Sequence, residues 1–441
     1  MKSAISENLV AHLWQRSRVA QFVADSGKNV QVIHPGRLSH DIGGDFQDAV
    51  LLIDGQRIHG NIEVHVTNKQ WYNHKHHCDS RYNNVVLHVV YWQDNPVPTR
   101  LQNGIVIPTI SLSLPAGQCL DIPVERPESR LQVSPPCPHI ARQSTEQLTG
   151  LLTAAGKQRF AGKVDFFLRA LKRGKPGQVL FEGLAKALGY SQNSEAFRRL
   201  TNKLTLDAIG QLQPYKEKRQ QALILGTAGL LPSQRAKLKQ KPLVNVEVEE
   251  LEQNWRTLGL ANIMSETDWC FFRVRPDNFP TRRLIALSCL ISKYHNPGLF
   301  QGILKLITEP PEEIAWRWLV DCLTIPAQGY WASHFDFNVI RSRSAALIGY
   351  DKAAEMAANI VLPFASAWSR ISCAPKLEYK TAKIYLHLPK PADNELTRYM
   401  RQQLLITPGT CRTACHQQGL LHIFKSYCRY RDCASCPISA N

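Results

Sequence analysis

The sequence predicts a multidomain α+β chain. It reads as an N-terminal α/β domain (helix, three strands, helix, strand), a large mostly α-helical domain and a Cys-rich C-terminal segment. Three observations carry this. The chain has 441 residues, more than one ordinary core holds. Apolar residues alternate with period two only before about residue 115, and recur at helical spacing from about 143 to 360. Five of the twelve cysteines crowd into residues 411–436.

The elements follow in order. Leu9, Val10, Leu13 and Trp14 recur at helical spacing behind Ser6, a residue suited to capping, so residues 6–22 are expected as a helix. "VQVI" (30–33) reads as a strand stopped by Pro35-Gly36. "DAVLLI" (48–53) and "RIHGNIEVHV" (57–66) read as a hairpin about Asp54-Gly55. Residues 67–82 are polar with aromatics and suit one or two helical turns. "NVVLHVVYW" (84–92) is apolar on both faces, as a central strand requires. "GIVIPTISL" (104–112) carries Pro108 and is expected at an edge. The expected divisions are 1–115 for the α/β domain, 116–142 for a Pro-rich linker, 143–375 for the helical domain and 376–441 for the C-terminal region. "KIYLHL" (383–388) suits either a strand or a helix end.

Composition narrows the function. At 44% apolar and 20% charged the chain is globular in type. No apolar run reaches the ~18 residues of a membrane span, and the N-terminal stretch lacks a secretory pattern. A soluble, cytoplasmic protein with no membrane partner is expected. Lys plus Arg exceed Asp plus Glu by 17. Such a balance attracts polyanions, and nucleic acid, DNA or RNA, is the expected partner. Solubility, or binding to an acidic protein, would account for the same charge.

The chemistry concentrates near "NIEVHV". Asp45 follows Gly43-Gly44 and precedes the second strand. Glu63 and His65 share one face of the third strand, and the hairpin would bring Asp45 near Glu63. Two carboxylates on adjacent strands suit a hard divalent cation, Mg²⁺ or Mn²⁺, whose waters serve phosphodiester hydrolysis. His74, His76 and Asp79 offer donors for a second metal or would complete the first site. His88 is a further candidate for that second-metal or supporting role, and its strand, apolar on both sides, equally suits a hydrogen-bonded core histidine. Alternatively the histidines and Trp71 and Tyr72 cap a sheet edge by packing.

The layout resembles the core of the PD-(D/E)xK nuclease superfamily, the restriction-endonuclease-like fold. That core carries an Asp at the start of its second strand and Glu-x-Lys in its third. Asp45 matches the Asp, Glu63 the Glu, and His65 stands where the Lys would. The departure matters, because histidine is neutral near pH 7 and can ligate a metal. Over nearly its whole length the chain also resembles the domain-of-unknown-function family 2851. "GNIEVHV", "ALILGTAGLLP", "FRVRPDNFPTRR", "NIVLPF" and "QQGLLHIF" occur in that family's order. This resemblance implies a bacterial soluble protein and no established activity. Lys75 departs from it, where the family tends to have Gly.

At the C-terminus Cys428, Cys433 and Cys436 are spaced C-x4-C-x2-C, with Cys411 and Cys415 upstream. Four thiolates hold Zn²⁺ or a [4Fe–4S] cluster. A terminal three-cysteine group with one remote partner resembles the iron–sulfur staple of some RecB-like nucleases, and the remote ligand stays unassigned. A reduced, buried cysteine cluster is the structural alternative. Arg273, Arg275, Arg282 and Arg283 flank "PDNFPT" and could grip phosphates, or pair with the acidic "VEVEELE" (246–252). Metal-dependent nuclease is the leading expectation. The alternatives are a non-catalytic nucleic-acid-binding or scaffold protein with structural metal, and a zinc hydrolase of a small substrate.

Overall fold

The computed structural model describes residues 5–17, 20–39, 43–94, 97–113, 136–212, 216–238, 245–261, 264–272, 274–341, 345–407 and 409–439. Two compact units share the chain. The first takes Met1–Gln143, Gln402–Leu405 and Ile423–Asn441; the second takes Ser144–Arg401 and Ile406–His422. Most of the expected Pro-rich linker falls on 114–135, outside the described residues.

The first unit is built on a sheet. Helix α1 (Glu7–Gln15) precedes strands β1 (Gln21–Val23), β2 (Asn29–His34), β3 (Arg37–Leu38), β4 (Phe46–Ile53) and β5 (Gln56–Thr67). Helix α2 (Lys69–Asn73) and two 3₁₀ turns (His76–Cys78 and Ser80–Tyr82) lead to β6 (Val85–Trp92). The short strands β7 (Thr99–Arg100), β8 (Val106–Ile107) and β9 (Thr109–Ser111) follow. The main sheet runs β1-β2-β4-β5-β6-β9, with β3 beside β4. It is antiparallel from β1 to β5, then parallel from β5 to β6 and from β6 to β9.

The pattern has physical causes. Asp54 and Gly55 both adopt positive φ, as a two-residue hairpin of right-handed twist requires. A parallel partner needs a crossover, and residues 68–84 supply it. Pro108 separates β8 from β9, and β9 lies at the sheet's edge, as Pro108 led one to expect. One sheet face packs on α1: Val10 and Trp14 meet Phe46, Leu51, Ile62, Val64, Leu87 and Val89. Trp14 Nε1 donates to the Pro35 carbonyl at 2.9 Å, which satisfies the buried indole N–H. Because side chains alternate, the residues between these, Glu63, His65 and His88, take the other face.

The expected helix over 6–22 is shorter. Ser6 caps it, but it stops at Gln15, Leu9 is exposed, and residues 21–23 form β1. A three-residue edge strand is too short to show a period.

The second unit is helical around one extended apolar core. Its first helix, α3 (Thr145–Leu171), opens on a capping box between Ser144 and Gln147. Helices continue beyond residue 375, the expected end of this domain. Residues 383–387 belong to the helix Pro375–His387.

Candidate metal centre

The centre forms where β4 begins, along the middle of β5 and in the crossover. Gly44, at φ +120°, lets the chain enter β4 against β5: a Cβ there would meet Asn61 Cβ at 2.9 Å. Asp45 follows at once, and its Oδ2 accepts the Val64 N–H at 3.0 Å. That bond places the Asp45 carboxylate beside Glu63. The parallel register sets Glu63 opposite His88 on β6.

The crossover adds two imidazoles. Lys75, at φ 61°, takes the left-handed conformation that glycine adopts without cost. The turn carries His74 and His76 to the sheet. His65 Nε2 lies 3.2 Å from His74 Nδ1 and 3.6 Å from Glu63 Oε1. His76 Nε2 lies 3.2 Å from the same Glu63 oxygen, without hydrogen-bond alignment. His65, His74 and His76 each offer a donor atom within 4.8 Å of the others. Tyr82 covers His76, ring centroids 4.0 Å apart.

Behind His65 runs a polar chain. His65 Nδ1 meets His88 Nε2 at 2.9 Å, His88 Nδ1 meets Thr99 Oγ1 at 3.0 Å, and Thr99 Oγ1 meets Thr109 Oγ1 at 2.8 Å. All four groups are buried. With each N–H or O–H donating away from the centre, His65 Nε2 keeps its lone pair facing inward. Supporting shells of metal-bound histidines work this way.

Electrostatics agree. Burial, then the neighbouring Glu63 carboxylate, pushes the Asp45 carboxyl up to about 7. Glu7 pushes in the same direction. Burial, then the adjoining imidazoles, holds His65 well below its usual value. Burial also lowers His76 to about 4 and His88 to about 3. His65, His76 and His88 are thus held toward the neutral form, the one that binds metal. Two neighbouring carboxylates and three imidazole nitrogens fit a divalent cation by donor type.

The other expected residues are placed as follows. Asp79 caps the Ser80–Tyr82 turn by accepting Arg81 N–H at 3.0 Å, and pairs with the Arg81 side chain. Burial pushes its carboxyl up, but the Arg81 bonds outweigh this and hold it below the usual range. Asp79 is thus engaged locally and stands outside the imidazole trio. Cys428, Cys433 and Cys436 lie in the first unit, and Cys411 and Cys415 in the second. Cys415 packs under α3 with its Sγ 3.6 Å from the Thr153 carbonyl.

The arginine expectation also needs correction. Arg273 lies outside the described residues, and Arg275 is exposed. Arg282 and Arg283 are buried. Arg282 donates to the Trp331, His334 and Ala345 carbonyls, and Arg283 to the Leu347 carbonyl, Tyr190 Oη and Asn278 Oδ1. These guanidinium groups hold loops to the helix Pro280–Lys293, so they are scaffold and not a phosphate grip. The acidic 246–252 stretch instead meets Lys218 through Glu247 and Ser233 through Glu252. Sequence reading missed Thr99 and Thr109. No local pattern marks them, because strand pairing brings them in.

Residues 7–394 match a family model described as Protein of unknown function (DUF2851). No curated protein and no solved structure matches the chain.

Proposed function

The chain belongs to that family, and from its site we propose that it is a metal-dependent phosphodiesterase that cuts nucleic acid. One observation carries the reading: His65, His74 and His76 bring donor atoms within 4.8 Å of one another, with Glu63 Oε1 3.6 Å from His65 and 3.2 Å from His76. The order of elements supports it. An acid opens β4, Glu63-x-His65 sits within β5, and a crossover leads to a parallel strand. This is the order of the PD-(D/E)xK core, with His65 in the lysine position.

Asp45, Glu63 and His65 would hold the ion, with His74 and His76 completing the set. When bound, such a cation lowers the pKa of water and offsets charge developing on a phosphate. An imidazole-rich set favours Mn²⁺ or Zn²⁺ over Mg²⁺. The chain's own part is orientation: His88 and Thr99 fix the His65 ring, and the Val64 amide fixes Asp45. The excess of 17 basic residues draws a polyanion to the molecule. The imidazole trio also favours a second reading, a zinc hydrolase of a small substrate.

Cleavage of labelled single- and double-stranded DNA and RNA tests this, with Mg²⁺, Mn²⁺, Zn²⁺ or chelator, beside Glu63→Gln. The proposal expects metal-dependent cleavage lost in the variant, with binding retained. Hydrolysis of an activated phosphodiester alone, with every nucleic acid left whole, would favour the second reading. Binding without any turnover would sink both.

A further inference from the structure

The first unit gathers a second set of donors, and sequence spacing hides one of them. Cys137 stands 291 residues before Cys428. Its N–H donates to the Gln403 carbonyl at 2.8 Å, and its carbonyl accepts the Ile140 N–H at 3.1 Å. Gln143 Nε2 donates to the Ile438 carbonyl at 3.1 Å. These bonds lay the 137–143 turn along the chain's last turns. Cys428 opens the 3₁₀ turn Cys428–Tyr430. That turn is fixed to the sheet by Arg429 Nε on Asp48 Oδ1 at 2.6 Å and by Arg57 on the Tyr430 carbonyl. The Cys436 N–H closes back on the Cys433 carbonyl at 3.2 Å. In consequence Cys428 lies within electrostatic reach of Cys436, Cys137 and Cys433, and Cys436 within reach of Cys137 and Cys433. All four are free thiols.

We propose that Cys137, Cys428, Cys433 and Cys436 are the four ligands of a [4Fe–4S] cluster. Spacing favours a cluster over a single zinc ion. Zn–S bonds of 2.3 Å in a tetrahedron set the sulfurs about 3.8 Å apart. Among the described residues, only the imidazole trio brings three His, Cys, Asp or Glu donors within 4.8 Å of one another. The thiols are gathered, yet wider than one tetrahedral ion asks. A cubane takes one thiolate at each of four irons and so spans a wider set. Such a cluster fastens the end of the sheet domain to the chain terminus, and Arg429 carries that fastening to Asp48 on β4. The inference is independent of the nuclease reading.

Anaerobic purification of the full chain, then iron, acid-labile sulfide and zinc analysis with visible absorption, tests it. Iron and sulfide in equal numbers with a broad visible band are expected. Cys137→Ser and Cys433→Ser should each lose most of both. Cys433 is exposed, so its variant keeps the test open if Cys137→Ser does not fold. Cys411→Ser and Cys415→Ser should keep the full content. Zinc without iron, no metal even after reconstitution with iron and sulfide, or full iron in a folded Cys137→Ser protein would each overturn the assignment.

Discussion

The two units both bury charge, and they do so differently. In the helical unit several such groups meet complements. Arg235 Nη1 reaches both Asp336 oxygens, at 2.7 and 2.8 Å, its Nε meets Glu266 at 3.0 Å, and Thr281 Oγ1 donates to Asp336 Oδ1 at 2.8 Å. Arg282 and Arg283 end on carbonyls. Lys352 lies 3.2 Å from Glu355 and over the Tyr190 ring. In the sheet unit Asp45 faces Glu63 and Glu7, and imidazoles crowd on imidazoles. Complementary burial is how a scaffold satisfies polar groups. Like groups gathered on one sheet face raise the energy of the metal-free site, which a bound cation would relieve.

The contrast can be broken at either end. The largest effect is expected in the scaffold. Arg235→Met strands a buried Asp336 and should cost about 3–5 kcal/mol in urea unfolding, with Mn²⁺ binding unchanged. Next comes the site itself. A ligand at 100 times its Kd stabilises by about 2.7 kcal/mol, so Mn²⁺ should raise the Tm of the native chain. His65→Ala should remove that rise while leaving the chelated protein folded; an equal rise in both would break the distinction.

The pH dependence of the chelated protein is smaller and has a definite sign. Asp45 titrates near 3.8 when unfolded and about 7 when folded. The folded state therefore holds the extra proton, and stability must fall as pH climbs from about 4 to 7. The displacement sets a ceiling near 4 kcal/mol, which screening at this partly buried group cuts to about 2 kcal/mol. Asp45→Asn should flatten that part of a pH series of unfolding midpoints; an unchanged slope would show that Asp45 is not the group responsible. The smallest change is expected at Lys352, whose ammonium burial holds down to about 8. Lys352→Met should stay within about 1 kcal/mol of the parent, measured by the same unfolding series.

The strands of the sheet unit could be read from the sequence because their cues are local. Alternation marks β4 and β5, Asp54-Gly55 marks their turn, and a doubly apolar run marks β6. Asp45, Glu63, His65, His74 and His76 were legible for the same reason: all lie on or beside those strands. What stayed hidden depends on pairing across distance. Parallel pairing of β5 with β6 brings His88 to His65, and Thr99 and Thr109 join from short strands with no period of their own. The proposed joining of Cys137 to the terminal cysteines depends on the fold alone. Arg282 and Arg283 read as a surface grip because charge suggests exposure. Their helix is instead buried nearly all round, where carbonyls at loop ends call for donors. The helical unit ran past residue 375 because helical periodicity does not mark where a core ends.

The central claim is that the Asp45–Glu63–imidazole cluster holds a divalent cation. The most direct measurement is a calorimetric titration of Mn²⁺ into chelator-stripped protein, beside Glu63→Gln and Arg275→Ala. Mn²⁺ prefers oxygen and imidazole to thiolate, so the cysteines do not compete for it. The account predicts saturable binding at one site per chain, lost in Glu63→Gln and unchanged in Arg275→Ala. Binding of equal strength in Glu63→Gln, or none in the native chain, would contradict it.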